Sequence, residues 1–326
     1  MIRAKITGTG SALPEKVLTN FDLEKMVDTS DEWIVTRTGI RERRIAGEGE
    51  CTSTFAIAAA KKAMEMAGVT AEEIDLIVLG TVTPEFPFPA TSCLVQNGLK
   101  AVNAACFDLS AACSGFIYGL STAEKYLRTG AAKKALVIGA EVLTRIVDWT
   151  DRNTCLLFGD GAGAVVLEAT EEESGILSTH MHTDGSYWEL LYQKGCGSRN
   201  PCSQKNLDAG LMYISMQGNE VFKLAVRAMG EVGQEALAAN GLTTGDVSLF
   251  IPHQANMRII DSVGKRLGIG ADRTYVNLHR YGNTSSASIP IALDEANRTG
   301  RIKNGDIVLL DAFGGGLTWG AAAIRW

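Results

Sequence analysis

Five uninterrupted apolar runs punctuate the chain: Leu76-Ile-Val-Leu79, Ala135-Leu-Val-Ile138, Ala164-Val-Val-Leu167, Leu249-Phe-Ile251 and Ile307-Val-Leu-Leu310. Runs without polar alternation predict strands covered on both faces. Between them, apolar residues recur at helical spacing. One helix is expected from Thr54 to Met66 and a second from Cys113 to Arg128, with Phe116, Leu120, Ala123 and Leu127 on one face. A third is expected from Asn219 to Asn240, with Phe222, Val226, Met229, Val232 and Ala236 inward. Several of these end at Gly or Asn-Gly, the usual helix stop. Alternating strands and helices imply α/β layers around mostly parallel sheets.

The pattern occurs twice. Gly68-Val-Thr-Ala-Glu-Glu-Ile-Asp-Leu-Ile-Val-Leu is answered by Gly241-Leu-Thr-Thr-Gly-Asp-Val-Ser-Leu-Phe-Ile-Pro, which leads into His253. Asp108-Leu-Ser-Ala-Ala-Cys113 is answered by Asn277-Leu-His-Arg-Tyr-Gly-Asn283, and each is followed seventeen residues later by the Gly of an Arg-Thr-Gly stop, Gly130 and Gly300. This spacing sets Cys113 against Asn283. The halves meet near Glu171-Glu-Glu-Ser-Gly, giving segments 1–172 and 173–326. Residues 183–215, polar and Gly-rich with Pro201, read as an insertion of the kind that covers a binding site.

Composition narrows the class. Hydrophobic residues make up 46% and charged residues 21%, a globular balance, and the net charge of −6 argues against a nucleic-acid binder. No apolar run approaches the roughly 20 residues of a membrane span, and the N-terminus reads as a strand rather than a signal peptide, so a cytoplasmic protein is expected. Seven cysteines without a C-x-x-C pair imply neither a metal site nor a disulfide framework, and most are expected to be reduced and buried.

Several motifs dissolve on inspection. Gly8-Thr-Gly10-Ser lacks the last glycine of a dinucleotide fingerprint and reads as a turn; Gly159-Asp-Gly-Ala-Gly163 lacks the Lys-Ser/Thr of a phosphate loop and reads as a tight strand entry. Cys113, His253 and Asn283 do not dissolve. Alone, each has an ordinary reading: a buried cysteine, a core histidine, a helix cap. Together, at strand tips of two similar halves, they point to a cysteine nucleophile at a helix start, where free amides favour thiolate, facing an imidazole and a carboxamide.

At this point Ala111-Ala-Cys113-Ser-Gly-Phe, Pro252-His253-Gln-Ala-Asn256, Tyr281-Gly-Asn283-Thr-Ser and Phe313-Gly-Gly-Gly-Leu-Thr-Trp-Gly320 resemble β-ketoacyl-acyl-carrier-protein synthase III. So do Thr29-Ser-Asp-Glu-Trp33-Ile-Val-Thr-Arg37 and Phe158-Gly-Asp-Gly-Ala-Gly. The resemblance spans the chain. It implies an α/β thiolase fold of two βαβαβαβαββ halves in an α/β/α/β/α core, without cofactor or metal. It also implies a homodimer that loads an acyl group from acyl-CoA onto Cys113 and condenses it with malonyl-acyl-carrier protein, initiating fatty-acid synthesis.

By resemblance, Cys113, His253 and Asn283 are catalytic, and the amides of Cys113 and Gly315 form the oxyanion hole. Thr29, Trp33, Arg37, Arg152 and Asn256 hold CoA. Lys223, Gln254, Arg258, Lys265 and Arg266 dock the acidic carrier protein, consistent with a local basic set on helix faces that also includes Arg227. Phe158 and a partner's Phe88 shape the acyl pocket, favouring two- to four-carbon primers. Elongating condensing enzymes are disfavoured because they use a second histidine where this chain has Asn283. Chalcone-synthase-like enzymes differ in length and motifs, and hydroxymethylglutaryl-CoA synthases need a glutamate with no counterpart here. A papain-like hydrolase lacks the duplicated α/β setting, and a non-catalytic carrier-binding scaffold would not need the intact Cys, His and Asn set.

Overall fold

A computed structural model describes residues 2–326. The apolar runs form the strands of two sheets. In the first, β1 (Arg3–Ala12), β2 (Leu76–Gly80), β3 (Ala105–Leu109), β4 (Lys134–Val142) and β5 (Asp160–Thr170) lie in the order β1-β5-β4-β2-β3. In the second, β6 (Gly175–Thr183), β7 (Val247–Pro252), β8 (Ile307–Gly314) and β9 (Thr318–Arg325) lie in the order β7-β8-β9-β6. A single parallel bridge from Phe250 to Thr274 stands where the first sheet has β3. The β2–β3, β2–β4 and β7–β8 pairs are parallel and the remaining pairs antiparallel. The sheets therefore repeat one plan.

Helices cover every sheet face, which explains the unbroken apolar runs. The outer face of the first sheet is closed by α1 (Thr52–Ala67) and α2 (Thr91–Leu99). The outer face of the second is closed by α4 (Gly218–Ala238) and α5 (Met257–Leu267). Between the sheets lie α3 (Gly115–Arg128) and α6 (Ser288–Arg298). Phe116, Leu120, Ala123 and Leu127 of α3 and Ile289, Ala292, Leu293 and Ala296 of α6 join residues of both sheets in one core. The result is five layers, α/β/α/β/α. No helix of the described residues is long and apolar enough to cross a membrane.

Three sequence expectations change, the first being that the sheets are mostly parallel: four of their seven strand pairs are antiparallel. Gly8 and Gly10 are not a turn but lie inside β1, where a Cβ would fall 2.1 Å from the Ala63 carbonyl oxygen and 2.2 Å from that of Ala59. They let α1 lie directly on the strand. The register of the duplication also shifts. Ile77 pairs with Leu136 as Phe250 pairs with Leu309, and both correspondences are 173 positions apart. At that offset Ala112 corresponds to Ser285, and both are non-glycine residues at positive φ (46° and 49°) opening a short 3₁₀ turn before the central helix. The counterpart of Cys113 is thus Ser286, not Asn283. The equal spacing to the Arg-Thr-Gly stops arises because α6, at 11 residues, is three shorter than the 14-residue α3.

Candidate active site

A cavity of about 290 Å³ opens where the two central helices begin, and Cys113, His253 and Asn283 all line it. Each is set by a different piece of the duplicated frame. Cys113 lies in the 3₁₀ turn Ala112–Ser114, just ahead of α3, with Ala112 in left-handed backbone. Such a conformation costs an alanine roughly 1–2 kcal/mol, and residues held this way cluster at functional sites. The turn presses on β8: a Cβ on Gly314 would sit 2.6 Å from the Cys113 amide nitrogen. His253 follows the last residue of β7, and its amide donates to the Asp311 carbonyl at 2.7 Å. Asn283 is tied to the first half by two backbone bonds, donating to the Leu157 carbonyl (2.8 Å) and accepting from the Gly159 amide (3.0 Å).

Hydrogen bonds orient the two polar partners. Asn283 Oδ1 accepts from the Ser285 amide at 2.8 Å, leaving the amide NH₂ as the free end. His253 Nδ1 lies 2.6 Å from Ser288 Oγ, leaving Nε2. Burial pushes the imidazole down from 6.5 to about 3, so it is neutral at physiological pH. Burial likewise pushes the Cys113 thiol up to about 12; the Ser285 hydroxyl and the residue's own amide oppose this, and the Glu141 carboxyl adds to it. The helix start does not by itself make an acidic thiol here, because desolvation outweighs it. The pair is a neutral thiol beside a neutral imidazole.

A second, smaller cavity of about 140 Å³ lies behind Cys113, which it shares with the first, as it shares Phe158 and Leu191. Its wall is mostly apolar: Val82, Leu143, Ile146 and Ile214, with Ser285 and Gly315 beside the cysteine. Sequence reasoning found Phe158 and Gly315 but missed the aliphatic wall, whose residues come from three separate segments. The insertion supplies part of it through the hairpin Leu191–Gln193/Ile214–Met216, and the Ile214 amide ties to the Ile146 carbonyl at 2.9 Å. Glu141, fully buried, anchors the Val82 segment: one oxygen accepts from Thr81 Oγ1 (3.1 Å), the Thr83 amide (3.1 Å) and Thr83 Oγ1 (2.6 Å).

The outer end of the larger cavity holds Trp33, Arg37, Arg152, Asn256 and Arg258. Trp33 carries two guanidiniums over its ring, Arg37 at 5.2 Å and Arg152 at 4.8 Å from the centroid. Asn256 caps α5, accepting from the Arg258 amide at 2.8 Å, and donates to the Arg37 carbonyl. Thr29 does not line the cavity; its hydroxyl is buried without a hydrogen-bond partner. Lys223, Arg227, Arg258, Lys265 and Arg266 are exposed on α4 and α5. Lys223 pairs with Glu220 (2.8 Å) and Arg266 with Glu231 (3.4 Å). Gln254 does not belong with them. It is buried, its Nε2 donates to the Pro252 carbonyl (2.8 Å) and its Oε1 accepts from the Asn277 amide (2.9 Å), so no docking partner can reach it. Phe88 is 86% exposed and lines neither cavity of its own chain. All seven cysteines are free, but Cys93, Cys196 and Cys202 are exposed, against the expectation that most are buried. Among the described residues no group of three or more His, Cys, Asp or Glu could hold a metal ion.

Two repeated α/β halves that enclose a thiol, an imidazole and a carboxamide define a condensing enzyme of the thiolase fold, an acyltransferase. Comparison with known proteins agrees. A family model described as 3-oxoacyl-[acyl-carrier-protein] synthase III matches residues 107–185, and its C-terminal counterpart matches residues 237–326. A β-ketoacyl-[acyl-carrier-protein] synthase III of Xanthomonas campestris is 58% identical across 100% of this chain and 99% of that protein. One from Caldanaerobacter subterraneus is 54% identical across 100% and 98%. The solved structure of 3-oxoacyl-[acyl-carrier-protein] synthase III from Aquifex aeolicus superposes with a TM-score of 0.93 at 54% identity, covering 99% of this chain and 100% of that one. The chain belongs to the β-ketoacyl-[acyl-carrier-protein] synthase III family, the condensing enzymes that initiate fatty-acid synthesis.

Proposed function

We propose that Cys113 carries the acyl group between two substrates, acyl-CoA and malonyl-acyl-carrier protein. The observation that carries this reading is the position of Cys113 on both cavities, one with a basic and aromatic mouth and the other a smaller, mostly apolar pocket. In the first half-reaction the sulfur attacks the acyl-CoA carbonyl, and the thiol proton leaves with the CoA sulfur. A thiol pushed up by burial loses its proton as the bond forms, and the amides of Cys113 and Gly315 receive the oxyanion. The acyl chain then occupies the smaller cavity.

In the second half-reaction malonyl-carrier protein enters through the same mouth. Breaking the bond to the carboxylate releases carbon dioxide and leaves its electron pair on the α-carbon as an enolate. That carbon attacks the acyl-cysteine, and the sulfur leaves as thiolate, which regains a proton from water. The electrons for the new bond come from the broken one, so the reaction needs no cofactor. His253 Nε2–H and the Asn283 amide donate to the thioester oxygen as charge develops there. Neither is charged, so both stabilise the enolate without titrating near neutral pH. Removing one such donor typically costs about a hundredfold or more in rate.

Trp33, Arg37, Arg152 and Asn256 suit the CoA nucleotide and pantetheine, with an aromatic face for adenine and guanidiniums for phosphate. Lys223, Arg258, Lys265 and Arg266 suit an acidic carrier protein. A homodimer is supported by β3, an edge strand with half-buried Phe107 and Leu109, and by exposed Phe86 and Phe88 on the Glu141-anchored loop. Phe88 would cap the partner's primer cavity. Intact mass after incubation with acyl-CoAs tests the central assignment. One acyl group should load on the wild type and none on Cys113→Ala, and loading retained on another cysteine would overturn it.

A further inference from the structure

The duplicated frame places a difference next to His253. At the offset of 173 positions, His253 corresponds to Gly80 and Ser288 to Gly115. In the first half those two glycines pack backbone to backbone: a Cβ on Gly80 would meet the Gly115 carbonyl carbon at 2.8 Å. In the second half the same two positions carry side chains that bond to each other, His253 Nδ1 to Ser288 Oγ at 2.6 Å. Both residues are buried.

The direction of that bond follows from counting protons. Ser288 Oγ has one hydrogen and two lone pairs. The Gln254 amide can only donate, and it points at Ser288 Oγ from 3.3 Å. Among the described residues Ser288 Oγ has no partner besides these two, so His253 Nδ1 is the one acceptor within reach of its hydrogen. The hydroxyl hydrogen is therefore free for the imidazole, and Nδ1 accepts it. A neutral imidazole holds one proton, so that proton sits on Nε2.

We propose that Ser288 is a positioning residue that holds His253 in the Nε2–H tautomer and fixes its ring plane, so that Nε2 donates to the thioester oxygen of the malonyl substrate. This rests on the reading above that His253 serves decarboxylation. In the opposite tautomer Nε2 would offer a lone pair to the developing enolate and oppose it. Ser288 never touches substrate; its effect passes through the ring. The Gln254 backbone amide keeps the hydroxyl turned, which gives the residue after the histidine a structural task at this site.

The test has two readouts. Nitrogen NMR of the histidine-labelled wild type should show a protonated Nε2 and an unprotonated, hydrogen-bonded Nδ1 for His253 around neutral pH. Ser288→Ala should lower carbon dioxide release from malonyl-carrier protein about tenfold or more, the scale on which losing the partner that orients a metal-ligating histidine acts. Cys113 acylation should stay within about twofold, and Ser288→Thr, which keeps the hydroxyl, should recover most of the release. A proton on Nδ1 in the wild type, or undiminished release in folded Ser288→Ala, overturns the proposal. Failure of the underlying reading looks different: His253→Ala would then keep its release, while the tautomer signal, which needs no turnover, still decides what Ser288 does.

Discussion

The smaller cavity should set the primer. It measures about 140 Å³, and an engineered apolar cavity of about 150 Å³ holds one benzene molecule. The pocket therefore accepts roughly four to six carbons, more than the two to four that the resemblance implies. Each methylene moved from water to an apolar wall contributes about 0.8 kcal/mol, which is roughly a fourfold gain in loading efficiency at ~1.4 kcal/mol per factor of ten. Loading of Cys113 should climb about fourfold per methylene from acetyl-CoA, then fall once the chain reaches Leu143, Ile146 and Ile214. Ile214→Ala removes three carbons from the wall at the hairpin strand tied to the Ile146 carbonyl. The maximum should move outward by roughly two or three carbons, at a stability cost near the lower end of the usual ~2–5 kcal/mol because Ile214 is half-buried. Intact-mass time courses with straight-chain acyl-CoAs would give the profile. Octanoyl loading equal to butyryl in the wild type, or an unmoved maximum in folded Ile214→Ala, would refute the reasoning.

Other outcomes follow from charge and burial. His253 falls from 6.5 to about 3 in the fold, so between those values the unfolded chain binds a proton that the folded one refuses. Stability should drop as pH falls through that window by up to about 1.4 kcal/mol per pH unit. His253→Gln should flatten that part of a urea-unfolding series, and an unchanged acid slope would count against it. Asp311, buried with neither carboxylate oxygen hydrogen-bonded, is raised well above its usual range by burial. Its protonated form favours the fold, so its contribution is lost as pH rises; Asp311→Asn should leave melting near pH 4 unchanged and raise it near pH 8, and equal melting shifts at both would refute this. Arg258→Glu should raise the apparent KM for malonyl-carrier protein severalfold, and the wild-type KM should itself rise with salt, since exposed charges are screened beyond about 8 Å at physiological ionic strength. A KM insensitive to both would remove Arg258 from the docking surface.

Much of this molecule is written locally. Unbroken apolar runs such as Leu76-Ile-Val-Leu79 predict strands covered on both sides, and the repeat of Gly68–Leu79 at Gly241–Pro252 predicts two halves of one plan. Cys113, His253 and Asn283 stood out as a set, a thiol, an imidazole and a carboxamide carried by motifs of two similar halves. Counting along the chain left two registers for the halves, 173 positions from Gly68 to Gly241 and 170 from Cys113 to Asn283. A three-residue difference in helix length sets Ser286 opposite Cys113 in place of Asn283, and strand pairing decides between the two registers.

Burial decided the rest. Gln254 sits beside His253 in sequence, yet its amide is taken up by the nearby Pro252 carbonyl and by the backbone of residues 275–277, so it faces inward. Gly8 and Gly10 resemble a turn until α1 lies on top of them. The primer wall gathers Val82, Leu143, Ile146 and Ile214 from segments far apart in the chain. Aliphatic residues carry no chemical mark of such a role, because any of them fills a core equally well. Nor could composition show that Cys113 and His253 are both neutral: desolvation depends on everything packed around a group, and that exists only once the two halves have closed.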